Sequence, residues 1–204
     1  MEPMAIAERL QAEFPDEVLE QYTYQGQTAV VIRHRRVRDI LQWLRDTPDI
    51  RMNHLRSLCG VDNVRHRVDP NLTRFEVVYN LYSVEHRHAL RVRAELGEED
   101  PIIDSVVSLW PGANWLERET WDLMGIRFTD HPDLRRVLLP DDWDGHPLRK
   151  EYPLRGKGEW AGLVELQARV KELDKHGFNP ENPPPVSSPK KGQTTGFINE
   201  EEGT

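Results

Sequence analysis

The chain has almost no sulfur chemistry of its own. Cys59 is its single cysteine, which excludes an intrachain disulfide and leaves no set of thiolates able to hold an iron–sulfur cluster. Long apolar runs are also missing. No stretch approaches the roughly 18 residues needed to cross a bilayer, and Met1 to Leu10 has neither the basic nor the apolar region of a signal peptide. A cytoplasmic chain that reaches a membrane only through partners is expected. Positive charge is in deficit, with 27 Lys and Arg against 35 Asp and Glu and a net charge of -8. That balance disfavours binding to nucleic acid or direct adsorption on anionic lipid. A Gly-rich phosphate loop, a Gly-x-Ser-x-Gly elbow and a Cys-x-x-Cys pair are all absent, so the common sequence routes to catalysis are closed.

Lysine is absent from the first 149 residues. All six lysines lie at Lys150 or beyond, and every earlier Lys/Arg position is an arginine. The planar guanidinium suits bidentate contact with carboxylates in partly buried pairs, as between subunits; a coding or thermal bias toward arginine explains the pattern equally well.

What is present suits one globular domain with appendages: 204 residues, 37% hydrophobic and 30% charged. Met4, Ile6, Ala7 and Leu10 recur at helical spacing until Pro15, which predicts a helix over residues 3–14. Alternation from Val18 to Tyr24, a turn at Gln25-Gly26-Gln27 and a β-rich run from Thr28 to Arg33 predict a hairpin. Val37, Ile40, Leu41 and Leu44 mark a second helix that Thr47-Pro48 closes. The pattern from Met52 to Leu58 is mixed. Phe75 to Tyr82 and His88 to Ala94 read as strands joined by a turn at Ser83 to His86, and Ile102 to Leu109 is a compact apolar group. Asn114 to Met124 is helical in character, with Gly125 placed to end it in a left-handed cap. A last amphipathic helix runs near Trp160, Leu163, Leu166, Val170 and Leu173.

The fold class is therefore α+β: a mixed or antiparallel sheet packed against helices, with a long irregular C-terminal extension. Residues 1–112 form the core, 113–154 a helix leading into an irregular segment, and 155–204 a helix and a Pro-rich, extended tail without a core of its own.

His131, His146, Asp141, Asp142, Asp144 and Glu151 are metal-capable types crowded together. Aligned as a calcium loop with Gly145 at the sixth position, they put Pro140 at position one, where an oxygen ligand is required, and Pro147 inside the loop. Turn-forming and pairing roles are expected instead. His86 and His88 would share one face of a strand and read as solvated edge residues. Cys59, beside Gly60, reads as a small buried apolar residue.

The long irregular segment carries the strongest signal. Arg118 and Asp122 stand four residues apart on a helix flanked by tryptophans, and such a pair adds only about 0.3–0.5 kcal/mol when exposed. Arginine and tryptophan together are what interface hot spots use. Loops as long as residues 131–154 without regular structure are uncommon unless functional.

In order, Glu117-Arg118-Glu119, Trp121-Asp122, Met124-Gly125-Ile126, Phe128 and His131-Pro132-Asp133-Leu134-Arg135-Arg136 are followed by Asp142-Trp143, Gly145 and Pro147-Leu148-Arg149-Lys150-Glu151-Tyr152-Pro153-Leu154. This run closely resembles the signature of the thirty-kilodalton subunit family of complex I, the NADH-quinone oxidoreductase. The resemblance is dense from Trp115 to Leu154; the part from the first helix through Leu96 agrees in length and pattern only, and the tail beyond Leu154 carries no matching motif. It implies a subunit of the hydrophilic arm with no redox centre and no cofactor in this chain. Iron–sulfur clusters and FMN would belong to partner subunits. It further implies docking to the quinone-site large subunit and the cluster-carrying subunits, with Glu117, Arg118, Glu119, Asp122, His131, Arg135, Arg136, Trp143, Arg149 and Lys150 as interface candidates. Related membrane-bound hydrogenases and other quinone-linked dehydrogenases share the module and give an alternative setting. A free-standing metal-dependent hydrolase built on Asp141 to Glu151 is the rival of a different class.

Overall fold

A computed structural model of the chain describes residues 1–64, 73–157 and 161–175. The chain divides into two compact units, Met1–Gly158 and Glu159–Thr204.

The first unit opens with α1 (Pro3–Glu13), whose Ile6, Ala7 and Leu10 are buried, followed by the hairpin β1 (Val18–Tyr24) and β2 (Gln27–Arg33). Gln25 and Gly26 both take positive φ, the backbone a two-residue hairpin turn requires. A single 3-10 turn at His34–Arg36 leads into α2 (Val37–Asp46), which buries Val37, Ile40, Leu41 and Leu44. It ends at Thr47, whose amide and hydroxyl both donate to the Trp43 carbonyl, at 3.0 and 2.7 Å.

Three antiparallel strands follow: β3 (His54–Asp62), β4 (Phe75–Tyr82) and β5 (Ala89–Leu96). The sheet order is β1-β2-β5-β4-β3, and β2 pairs parallel to β5, so the sheet is mixed. A small parallel pair, β6 (Ile102–Asp104) with β7 (Arg127–Thr129), brackets α3 (Ala113–Met124). One face of the sheet, with Val30, Ile32, Val77, Tyr79, Leu90 and Val92, joins the buried residues of all three helices in a single apolar core. Full burial of each such side chain is worth about 1.5–3 kcal/mol, so the core sets the position of everything attached to it.

Several expectations change. Met52 to Leu58 gave a mixed pattern because β3 is an edge strand whose register shifts between Leu55 and Ser57. A bulge breaks the period-two alternation on which strand recognition depends. His86 and His88 do not share a strand face. They lie in the turn closed by Ser83 and His88, where His88 is buried with Nε2 2.7 Å from the Ile50 carbonyl. Cys59 is exposed on β3 rather than buried, opposite Val78.

In the second unit, α4 (Ala161–Lys175) is described. Leu163, Leu166, Val170 and Leu173 follow one another at helical spacing and are all exposed. Trp160 and the Pro-rich tail lie outside the described residues.

The seam between β3 and α3 depends on Gly60. A Cβ there would stand 2.6 Å from the Met124 sulfur, 3.0 Å from Thr120 Cγ2 and 3.1 Å from Ile126 Cδ1. Gly60→Val therefore overpacks the seam, with an expected loss of about 1–3 kcal/mol in denaturant unfolding.

Candidate docking interface

The helix α3 ends where glycine allows it. Gly125 takes φ +72°, and its amide donates 2.8 Å to the Trp121 carbonyl, closing a left-handed cap. A Cβ at this position would lie 2.6 Å from the His146 ring and 2.7 Å from the Arg149 guanidinium. The cap therefore serves both as a helix stop and as the floor on which the later segment rests.

That segment, residues 130–157, contains no regular helix or strand, and two buried carboxylates organise it. Asp122, on α3, has no exposed side-chain surface. Its Oδ2 accepts the amides of Val137, Leu138 and Leu139 at 3.0, 2.9 and 3.0 Å, and its Oδ1 accepts Arg136 at 2.8 Å. Burial alone would push this carboxyl up; the three amides and the guanidinium outweigh it and hold it below the usual carboxylate range. Asp62, at the end of β3, is buried likewise and accepts the Lys150 amide at 2.9 Å and Arg74 at 3.4 Å. Arg74 also pairs with Glu98 at 2.9 Å and with Glu151.

Further contacts complete the attachment. Arg149 Nε donates to the Met124 carbonyl at 2.7 Å, and its guanidinium lies 5.2 Å from the Phe75 ring centre. His146 Nδ1 meets the Asp122 carbonyl at 2.9 Å, and the Leu148 amide donates to the Leu123 carbonyl at 3.0 Å. Arg118, 4.7 Å from the Trp115 ring centre, donates to the carbonyls of Arg135 and Arg136 at 3.1 and 3.3 Å. Arg136 donates onward to the Trp143 carbonyl at 2.9 Å.

Glu117 is the second buried carboxylate of α3. Its Oε1 accepts the Val106 amide at 2.7 Å, while Oε2 has no hydrogen bond among the described residues and sits 3.9 Å from His131 Nε2. Burial pushes its pKa up to about 7, against the pull of Ser105, the Val106 amide and Arg38. Burial also pushes the His131 imidazole down, despite its bond to the Asn114 carbonyl.

The ten interface candidates thus divide by direction. Glu117, Arg118, Asp122 and His131 have their polar atoms turned into the chain, and Arg136, Trp143 and Arg149 are half-buried on the segment's inner side. Glu119, Arg135 and Lys150 are exposed. Asp62 and Arg74, which hold the end of the segment, gave no local sequence signal because their partners in it, Lys150 and Glu151, lie 88 and 77 positions away. Among the described residues, no group of three or more His, Cys, Asp or Glu side chains is arranged to hold a metal ion. In the Asp141 to Glu151 stretch, Asp144 pairs with Lys157 at 2.9 Å and Glu151 pairs with Arg74.

Residues 30–158 match the family model described as respiratory-chain NADH dehydrogenase, 30 Kd subunit. The chain belongs to this family. Within it, the NADH-quinone oxidoreductase subunit lettered C from Roseiflexus sp. (strain RS-1) is 45% identical over 149 residues, covering 73% of this chain and 83% of that one. The protein of the same name from Geobacter sulfurreducens is 42% identical over 148 residues, 72% of this chain and 88% of its own. Among solved structures, the trypsin-resistant fragment (1-134) of Nqo5 superposes with a TM-score of 0.57 at 31% identity, over 66% of this chain and 100% of the fragment. The fold also recurs in the structure of the membrane-bound sulfane sulfur reductase, an archaeal respiratory membrane complex, with a TM-score of 0.58 at 18% identity, covering 88% of this chain and 97% of that one.

Two outcomes test the buried acids. Asp122→Ala strands Arg136 and three amides, so stability should fall by about 3 kcal/mol and trypsin should gain access to residues 131–157. Glu117 acts with the opposite sign to Asp122. Because its folded pKa is raised, its contribution is complete below pH 4.5 and is lost as pH rises through about 7. The difference in unfolding free energy between the natural chain and Glu117→Gln should therefore shift by on the order of 2 kcal/mol against the natural chain from pH 5 to pH 8, the buried histidines contributing equally to both.

Proposed function

We propose that this chain is a non-catalytic structural subunit of the peripheral arm of a proton-pumping NADH-quinone oxidoreductase. It docks through residues 113–154 to the large subunit at the quinone site and to the cluster-carrying subunits. NADH oxidation, electron transfer and quinone reduction take place in those neighbours, on FMN and iron–sulfur clusters that they hold. The chain sits on the cytoplasmic side of the inner membrane, attached through the complex. No helix among the described residues is long and apolar enough to cross a membrane.

The observation that carries this reading, beside family membership, is how the irregular segment is held. Its polar inner side is tied to α3 and β3 by buried carboxylates, so its outer side is a shaped surface rather than a loose loop. The segment leaves Arg135, Lys150, Leu138, Leu148 and Leu154 exposed, and Trp115 and Glu119 are exposed on the adjoining α3. Large apolar side chains left in water and interspersed with cations mark a protein contact. Preorganisation of this kind lowers the ordering cost of association.

Tagged chain recovered from its native membrane should retain the quinone-site subunit through stringent washing. Recovery without it, or with hydrogenase subunits in its place, overturns the assignment; stoichiometric iron, flavin or zinc in the purified chain overturns the structural role. A finer test separates the two adjacent arginines. Arg135 pairs at 3.0 Å with Asp133 on the exposed surface, whereas Arg136 holds Asp122. Arg135→Glu should leave the melting temperature of the isolated chain unchanged and lower complex yield; Arg136→Ala should lower the melting temperature itself.

A further inference from the structure

We infer that the end of the sheet opposite Asp62 is a second docking surface, one that takes an acidic segment of a neighbouring protein. The inference rests on the reading of this chain as a subunit of a larger assembly. A hollow of about 940 Å³ is formed there by the β1–β2 turn, the start of α1, the β4–β5 turn and the adjoining strand ends. Arg56, Arg87 and Arg91 all line it, and Glu2 is the only acid among its lining residues.

Acids outnumber Lys and Arg by 35 to 27, yet no ion pair among the described residues involves Arg56, Arg87 or Arg91. Arg33, Arg35, Arg118, Arg127 and Arg149 also have no ion pair among the described residues; what sets Arg56, Arg87 and Arg91 apart is that all three line one hollow. A neighbouring rung of the sheet shows the alternative. Arg93 donates to Glu76 through Nε at 2.7 Å and Nη2 at 2.8 Å, and to the Tyr22 hydroxyl at 2.6 Å, so its charge is matched. One rung along, Arg91 meets the amide of Asn80 instead: Nε donates to Oδ1 at 2.9 Å, and Asn80 Nδ2 donates to Ser57 at 2.9 Å. An amide fixes the direction of the guanidinium without cancelling its charge, and leaves the terminal nitrogens for another acceptor.

The other two arginines are placed by backbone irregularities. The β3 register shifts between Leu55 and Ser57, and the Arg56 between them lies 3.9 Å over the Tyr82 ring, also without a carboxylate. Arg87 takes φ +55° in the β4–β5 turn, a left-handed conformation that disfavours side chains other than Gly, Asn and Asp.

The occupant that fits is a protein segment bearing two or more carboxylates. Arg56 on β3 and Arg91 on β5 are separated by β4, so their backbones stand roughly 10 Å apart. A row of acidic side chains spans that distance, and the rest of the hollow's lining mixes Ser57, Asn80 and Gln27 with Ala89, Leu81 and Leu90. Planar guanidinia recognise carboxylates in pairs, and unmatched arginines at a surface steer an acidic partner by its charge.

The test uses the assembled complex. With p-benzoylphenylalanine in place of Arg87, irradiation should cross-link the chain to another subunit within a peptide that contains at least two Asp or Glu in a short run. A cross-link to a peptide without acids, to lipid or to this chain itself overturns the proposal, as does no cross-link in a complex that has assembled. Failure to assemble with any partner counts instead against the subunit reading. In parallel, the purified full chain titrated with hexaglutamate should bind it, with affinity falling as salt rises and at least tenfold lost in Arg56→Ala/Arg91→Ala at unchanged melting temperature. Inorganic phosphate binding as tightly as the peptide would make this a small-anion site and refute the acidic segment.

Discussion

The buried carboxylate of Asp122 is the constraint on which the long irregular segment depends. A loop of nearly 30 residues has backbone donors that no helix or sheet satisfies, and each must find water or a fixed acceptor. Asp122 supplies acceptors for three consecutive amides and one guanidinium from a position that α3 and the core hold still. Asp62 does the same for Lys150 at the far end. An irregular backbone thereby gains a definite shape without regular structure. The surface that shape offers is the feature a docking subunit needs.

Much of this was legible in the sequence where periodicity is clean. α1, the β1–β2 hairpin, α2, β4, β5 and α3 with its Gly125 cap all follow from apolar spacing and turn residues. β3 escaped because its bulge and its edge position interrupt alternation. β6 and β7 escaped because three residues of parallel strand carry no readable period. The mixed sheet was within the expected class, but its order depends on pairings between distant residues.

The residues of the segment show a different limit. Charged side chains are almost never fully buried without a partner, so sequence places Glu117, Arg118 and Asp122 at the surface by default. Their partners are mostly backbone groups 11 to 18 positions away along the chain. Residue types identified a stretch rich in chemistry. Only the fold separates the atoms that build the surface from those that form it.

The parallel pairing of β2 with β5 bears on how the chain comes to fold. Ala29 lies opposite Arg91 and Arg33 opposite Glu95, contacts 62 residues apart. β3, β4 and β5 form an antiparallel meander from neighbouring sequence, whereas the β1–β2 hairpin has no further strand to join until β5 exists. During synthesis, the N-terminal hairpin and its two helices emerge first, with the edge of β2 that β5 will cover still open. Closing a loop of that length is entropically costly and slow. Until the two halves of the sheet unite, β2 and β5 both present open edges that can pair with the wrong chain.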